Sequence, residues 1–265
     1  MSDNRTATSI RTKIWCEDHE TDNRFAVRAA YCRGFDVYGD MLGRARWVDM
    51  LYLLFHAEPA SVAQADLLED LAFALANPGP RDASVHAAMC GGVGGSGTAA
   101  ILMAALAVGA GQHGGGRDVY LAMQGWHACG ADPDKWREWL AALPASPGSV
   151  WPDPSHAPGF DSHAPRTSVP VRQLLSRLAT HGCGWRLSFL AQSLARFEEM
   201  TCRGLSMAGV AAAAYSDLGF SPEQGEALHL LLRLPGAAAH ALEQRGLGYK
   251  TFPFGKMELQ DAEGV

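Results

Sequence analysis

The sequence MCGGVGGSGTAAILMAALAVGAGQHGGGRDVY, which runs from Met89 to Tyr120, decides how the rest of the chain is interpreted. An uninterrupted apolar run, rich in alanine and leucine, extends over residues 99–110 and predicts a buried helix. Its 12 residues fall well short of the ~20 that a membrane-spanning helix requires. The glycines that follow end the helix and let backbone pass close to another group. His113, which these glycines flank, therefore occupies a position typical of a site residue.

Helical periodicity continues on both sides of this run. Upstream, apolar residues at 48, 51, 52 and 55 follow the spacing of an amphipathic helix, which Pro59 ends. Ser61 and Asp82 are residue types that commonly open helices, and each precedes a further helical stretch. Downstream helices are predicted over residues 117–129, 134–142, 171–179, 185–202, 206–218 and 222–244. The fold class predicted from these segments is all-α.

The remaining segments show no alternating pattern of a β-strand and no repeat of fixed spacing. Residues 1–30 are polar and mixed, and we expect them to form a partly extended arm. Residues 144–170 contain seven prolines and predict a long irregular loop, which in a compact domain is usually functional or disordered. Residues 248–265 predict a short irregular tail.

Composition narrows the class of protein. The 265 residues are 48% hydrophobic and 19% charged, which is typical of a globular chain with one large domain or a large and a small one. The net charge of -6 and the lack of a basic tract argue against nucleic-acid binding. The polar N-terminus contains no apolar signal segment, and no two of the six cysteines are spaced as Cys-x-x-Cys. We therefore expect a cytoplasmic protein with reduced thiols, without a metal site and without membrane association.

One motif matches a nucleotide-binding pattern by letter only. Residues 92–97 read Gly-x-Gly-x-x-Gly, and Asp118 follows at roughly the distance of the acidic residue in a dinucleotide-binding fingerprint. That fingerprint requires a strand before the first glycine, whereas the preceding residues are alanine-rich and helical. We interpret the motif as a tight turn between two helices.

Five segments, taken in order, resemble the citrate synthase family, in its short, citryl-CoA lyase-like branch. They are RGFD with LGRARWVDMLYLLFHAEPAS at 33–61, QHGGG at 112–116, PGF at 158–160, LGFSPE at 218–223 and RLPGAAAHALEQ at 233–244. The resemblance implies an all-α homodimer with a large helical domain, residues 1–116 and 206–265, and a small helical domain, residues 117–205. It also implies chemistry on an acyl-CoA thioester substrate, with no separate cofactor and with a small carboxylate as the second ligand.

The family forms or cleaves a carbon–carbon bond alpha to the thioester carbonyl, using an aspartate base, two histidines and arginines that bind carboxylates. By resemblance, His113 is the first catalytic histidine and Arg233 is a ligand of the substrate carboxylate. The second histidine is either displaced to His163 or replaced by Ser162. The position of the aspartate falls on Ala208, which cannot accept a proton.

Other family positions are also altered. Asp161 is our leading substitute for the missing base, the alternative being an aspartate on the loop surface. The acceptor-binding Asp-His pair is lost near residues 77–78, and His86 is the candidate to point into the same cleft. Arg166 and Arg172 are candidates to replace the family's Asp-Pro-Arg arginine. Two functions therefore remain open: a diverged enzyme with a non-standard carboxylate substrate, or a catalytically degenerate acyl-CoA-binding, regulatory or structural subunit.

Overall fold

The computed structural model describes residues 12–143 and 157–252, and its elements are predominantly helical. The strands are β1 Trp15–His19, β2 Val27–Cys32 and β3 Phe35–Asp36, followed by a π-helical turn at Val37–Met41. The helices are α1 Trp47–His56, α2 Val62–Leu75, α3 Ala83–Val93, α4 Thr98–Gly109, α5 Gly116–Cys129, α6 Pro133–Ala141, α7 Val169–Ala179, α8 Arg186–Thr201, α9 Met207–Asp217 and α10 Pro222–Leu247. A 3₁₀ turn at Tyr249–Thr251 ends the described part of the chain. The all-α prediction is confirmed.

Capping explains why the predicted helix starts agree with the structure. The side chain of Ser61 accepts a hydrogen bond from the N–H of Gln64 at the start of α2, and Ser221 accepts one from Gln224 at the start of α10. Asp82 accepts one from the N–H of Ser84 at the start of α3. These side chains satisfy N–H groups that have no partner within the helix, so the residue types that open helices can be recognised in the sequence.

The small N-terminal sheet was not predicted. β1, β2 and β3 form an antiparallel sheet in that order, with Trp15 opposite Cys32 in its first pair. Only Ala30 and Cys32 are buried in β2, and the residues of β1 are largely exposed. The alternation of buried and exposed residues is therefore too short to predict strands, and the prediction that this region contains none was wrong. The part of the expected arm before residue 12 lies outside the described residues.

Two hydrophobic cores organise the helices. The larger core combines α1 and α2 with α5–α9 and the first half of α10, and the run of alanines in α9 is buried on all sides. The smaller core joins α3, α4 and α10. Because the larger core contains residues from both segments that we assigned to separate domains, the domain boundaries stay a prediction. Residues 144–156 of the predicted proline-rich loop lie outside the described residues, as does the tail beyond residue 252.

The apolar helix α4 is buried along one face only. Ile101, Ala105 and Gly109 pack inward, whereas the side chains of Met103 and Val108 are 62% and 46% exposed. The prediction of a buried helix was therefore wrong for the single chain. Along the described ranges, 12–143 and 157–252, every helix is too short or too polar to cross a membrane.

Candidate active site

The loop between α4 and α5 is a tight turn that glycine makes possible. Gly114 has a φ of +71°, a conformation that most side chains disfavour. A Cβ atom on Gly115 would lie 2.4 Å from the carbonyl oxygen of Gly111, so only glycine fits there. The turn leads directly into the N-terminus of α5, and His113 within it is exposed.

Asp118 joins this loop to the loop at 157–168. The side chain is fully buried in the first turn of α5. One carboxylate oxygen accepts a hydrogen bond of 2.8 Å from the N–H of Gly159, and the other accepts one of 3.1 Å from the N–H of Gly114. A single buried carboxylate thus fixes the two loops relative to each other. Hydrogen bonds to a charged group are among the stronger ones in proteins.

The role of Asp118 was not predicted from the sequence, where this residue enters only as part of a nucleotide-binding pattern. The turn at 94–97 lies between α3 and α4, without a strand before it, as we had interpreted it. The available signal is an acidic residue in the first turn of a helix, two positions after the last glycine of His113-Gly-Gly-Gly. Its second partner, Gly159, lies 41 residues away and could not be identified from local sequence.

The two loops meet through their side chains. Ser162 Oγ lies 3.3 Å from His113 Nδ1, and Ser162 is half-buried. The side chain of His163 is exposed, and its backbone carbonyl accepts a hydrogen bond of 3.4 Å from Arg203. Of the two alternatives for the second histidine position, the geometry places Ser162 against His113. Catalytic roles for His113 and His163 stay predictions.

Asp161 is engaged within its own loop. Its Oδ1 atom accepts hydrogen bonds from the N–H groups of His163 and Ala164, both at 2.8 Å. Its own N–H donates to the carbonyl of Gly204 at 2.7 Å. The carboxylate therefore stabilises the turn that carries Ser162, and its assignment as the substitute base stays a prediction.

The start of α9 packs directly beneath this loop. Ser206 Oγ donates a hydrogen bond of 2.9 Å to the carbonyl of Gly159 and accepts one of 3.2 Å from the N–H of Gly209. Ala208, where the resemblance requires the aspartate, is 2% exposed. This position carries no group that can accept a proton.

Arg233 reaches the His113 loop from the opposite side. The guanidinium forms an ion pair with Asp82, and its Nη1 donates hydrogen bonds to the carbonyl of Gly114 at 3.1 Å and to His229 Nε2 at 3.2 Å. His229 is 1% exposed. Burial, assisted by the positive charge of Arg233, lowers the pKa of His229 to about 3. The imidazole is therefore neutral at physiological pH.

The other predicted site residues lie in different surroundings. His86 is exposed, and its ring centre lies 5.9 Å from that of Phe252. Arg166 is exposed, and Arg172 lies 3.8 Å from the carboxylate of Glu198. Burial raises the pKa of Glu198, but hydrogen bonds from Thr167 and the charge of Arg172 outweigh burial and hold the pKa below its ordinary value. Substrate binding by His86, Arg166 and Arg172 stays a prediction.

Comparison with known proteins identifies the fold. No protein-family model matches the chain, and no curated protein matches it. A citryl-CoA lyase from Hydrogenobacter thermophilus is 17% identical, with a TM-score of 0.71, and the match covers 95% of this chain and 96% of that one.

Two ATP citrate lyase structures match as well, and this chain spans less than half of either. The Methanothrix soehngenii enzyme in complex with citrate and coenzyme A is 18% identical, with a TM-score of 0.71, and the match covers 98% of this chain and 43% of that one. A mutant of the Methanosaeta concilii enzyme in complex with (3S)-citryl-CoA gives 18% identity, a TM-score of 0.72 and the same coverage. The chain therefore has the fold of citryl-CoA lyase, as the ordered sequence motifs predicted.

Proposed function

We propose that the chain is a citryl-CoA lyase-like enzyme, which forms or cleaves a carbon–carbon bond alpha to the thioester of an acyl-CoA. The observation that carries this proposal is the convergence of His113 and Ser162 on two loops held together by Asp118. A neighbouring imidazole and hydroxyl can each donate a hydrogen bond that stabilises the negative charge developing on a thioester oxygen. Structures that share the fold hold citrate with coenzyme A, or (3S)-citryl-CoA.

Acyl-CoA binding is the first requirement of this proposal. Coenzyme A and acetyl-CoA are titrated by calorimetry into the wild type, His113→Ala and His127→Ala. His127 is a matched control because it is an exposed histidine in the last turn of α5, at the end of the helix away from the loop. We expect micromolar binding to the wild type and to His127→Ala, and acetyl-CoA binding at least tenfold weaker to His113→Ala. Absence of any coenzyme A binding would overturn the proposal.

Turnover is the second requirement. Wild-type protein is incubated with citryl-CoA, and separately with acetyl-CoA and a panel of small oxo-acids and aldehydes, and products are identified by mass spectrometry. A product that disappears in His113→Ala supports the enzyme. The expected second substrate is a small carboxylate other than oxaloacetate, because the acceptor-binding positions of the family are altered.

A specific observation favours a second candidate, a catalytically degenerate acyl-CoA-binding or regulatory subunit. Ala208 provides no base, and loss of a general base typically costs ~10²–10⁴ in rate. Tight binding of coenzyme A without turnover of any compound in the panel would select this candidate over the enzyme.

The proposal includes a homodimer that forms through the exposed face of α4. Ala100, Met103, Ala107 and Val108 are exposed on a helix that carries no charged residue. An uncovered apolar helix face is typical of a protein–protein interface. We expect Met103→Lys to lower the mass measured by light scattering to that of one chain, whereas Phe73→Lys, at an exposed apolar residue of α2, leaves it unchanged. A cytoplasmic location stays a prediction from the sequence.

A further inference from the structure

The carboxylate-binding arginine expected at this site already has a carboxylate partner. Arg233 pairs with Asp82, and the two side chains are only 7% and 21% exposed. The two residues lie 151 positions apart, so the pair joins the start of α3 to the middle of α10. The face of α10 that carries Arg233 is therefore occupied by the protein itself.

Charge around the guanidinium is balanced. Within residues 12–143 and 157–252, its other hydrogen-bond partners are the carbonyl of Gly114 and the neutral imidazole of His229, neither of which adds a charge. One buried cation thus meets one carboxylate. A substrate carboxylate at the same guanidinium would face the negative charge of Asp82 at short range, and like charges repel strongly away from water.

Space beside the guanidinium is also filled. The cavity next to Arg233, lined in part by Ser84, Gly109 and Leu230, has a volume of about 10 Å³. This is about the volume that a single water molecule requires. While Asp82 holds its position, this side of Arg233 has no room for a second carboxylate.

Asp82 is held in place by a second set of contacts. Its Oδ1 atom accepts hydrogen bonds from the N–H of Ser84 at 3.0 Å and from the hydroxyl of Ser84 at 2.5 Å, while Oδ2 meets Arg233. The residue is the N-cap of α3. Moving the carboxylate away from Arg233 would therefore also remove the cap of this helix.

We propose that Asp82 is a specificity-determining residue, which supplies Arg233 with an intramolecular carboxylate in place of one from the substrate. The second substrate then carries no carboxylate at the position that faces Arg233, and presents an uncharged group there instead. This inference rests on the proposed function for the identity of the site, and it distinguishes the second substrate from oxaloacetate by the absence of a carboxylate at this position.

The test uses malonate as the probe and Asp82→Gly as the variant. Glycine is accepted at the N-cap position, so α3 begins as before, while Arg233 loses its anion and the volume of the Asp82 carboxylate becomes open to one carboxylate of malonate. Malonate is titrated by calorimetry and by thermal shift at constant ionic strength, with chloride as the balancing anion. We expect Asp82→Gly to bind malonate at least tenfold more tightly than the wild type, and Asp82→Gly/Arg233→Gln to lose this gain.

A second variant keeps the test decisive if Asp82→Gly does not fold. Asp82→Ser also keeps an N-cap, and its smaller side chain leaves room for acetate beside Arg233, so acetate is expected to raise its Tm above that in equimolar chloride. No gain in anion affinity in the variant that folds would overturn the inference. Binding of malonate to the wild type that Arg233→Gln abolishes would also overturn it.

Coenzyme A is titrated into the same variants as a separate readout. Gain of malonate binding together with absent coenzyme A binding would overturn the proposed function and leave the assignment of Asp82 to Arg233 standing. Coenzyme A binding without the malonate gain would do the reverse.

Discussion

A charged side chain binds the backbone of the His113 loop on each of its two sides, but the surroundings differ in accessibility. On one side, Asp118 binds the N–H of Gly114, and the His113 and Ser162 side chains beyond it remain accessible. On the other side, Arg233 binds the carbonyl of the same glycine, and its charge is matched by the buried Asp82. One peptide segment therefore separates an accessible pair of side chains from a buried ion pair. The arginine that the sequence resemblance predicts as a carboxylate ligand is already paired within the chain.

Loss of Asp118 is expected to have the largest effect on this comparison, because it removes the connection between the loops. Asp118→Ala removes two hydrogen bonds to a charged group, one of them from the buried N–H of Gly159, and we expect the free energy of unfolding to fall by about 3–5 kcal/mol. Urea denaturation measures the change. Asp134→Ala is the control, since Asp134 forms only exposed ion pairs, which contribute ~1 kcal/mol or less. A loss for Asp118→Ala no greater than that of the control would contradict the role of Asp118.

Breaking the Arg233–Asp82 ion pair directly is expected to have the next largest effect on stability. Arg233→Met leaves Asp82 without its cation, and we expect a loss of roughly 3 kcal/mol, the low end for buried pairs because Asp82 is a fifth exposed. Arg137→Met, which breaks an exposed ion pair of 2.8 Å with Asp134, serves as the control. A double-mutant cycle with Asp82→Asn isolates the coupling. Additive effects in that cycle would show that Arg233 and Asp82 do not depend on each other.

The pH dependence of stability tests the buried surroundings of Arg233 through its neighbour His229, with a smaller expected effect. His229 has a pKa of about 3 in the folded chain, against ~6.5 when unfolded, so between these values only the unfolded state binds the proton. The contribution of His229 is fully present above pH ~6.5 and falls by up to ~1.4 kcal/mol per unit as the pH decreases towards 3. His229→Gln removes this titration and keeps an acceptor for Arg233. We expect the wild type to lose about 2 kcal/mol more than the variant between pH 6.5 and pH 5. Parallel stability curves would show that His229 is not buried in neutral form.

The smallest effect on stability is expected for the accessible side chains of His113 and Ser162. His113→Ala removes an exposed side chain, and we expect the free energy of unfolding to change by no more than ~0.5 kcal/mol. Comparing its urea midpoint with that of Ser162→Ala checks this. A loss above 1.5 kcal/mol would indicate that the His113–Ser162 contact is structural rather than available to a ligand.

Local sequence was sufficient for most of the fold because helix boundaries depend on neighbouring residues. Ser61, Asp82 and Ser221 each accept hydrogen bonds within three residues, and such caps are visible in the sequence. The short sheet was not predicted because its strands bury too few residues to show an alternating pattern. The apolar run of α4 predicted a buried helix, but periodicity cannot tell whether the covering surface belongs to the same chain.

For the site, the sequence by itself determined that a histidine stands on a glycine loop at the start of a helix, and that an arginine lies on the last long helix. Only the tertiary structure decided what these side chains meet. Asp118 finds Gly159 across 41 residues and Arg233 finds Asp82 across 151, in both cases because helices from distant segments pack together. The physical reason is that a cap or a turn is satisfied by its neighbours, whereas a buried charge requires a partner that only packing can bring to it.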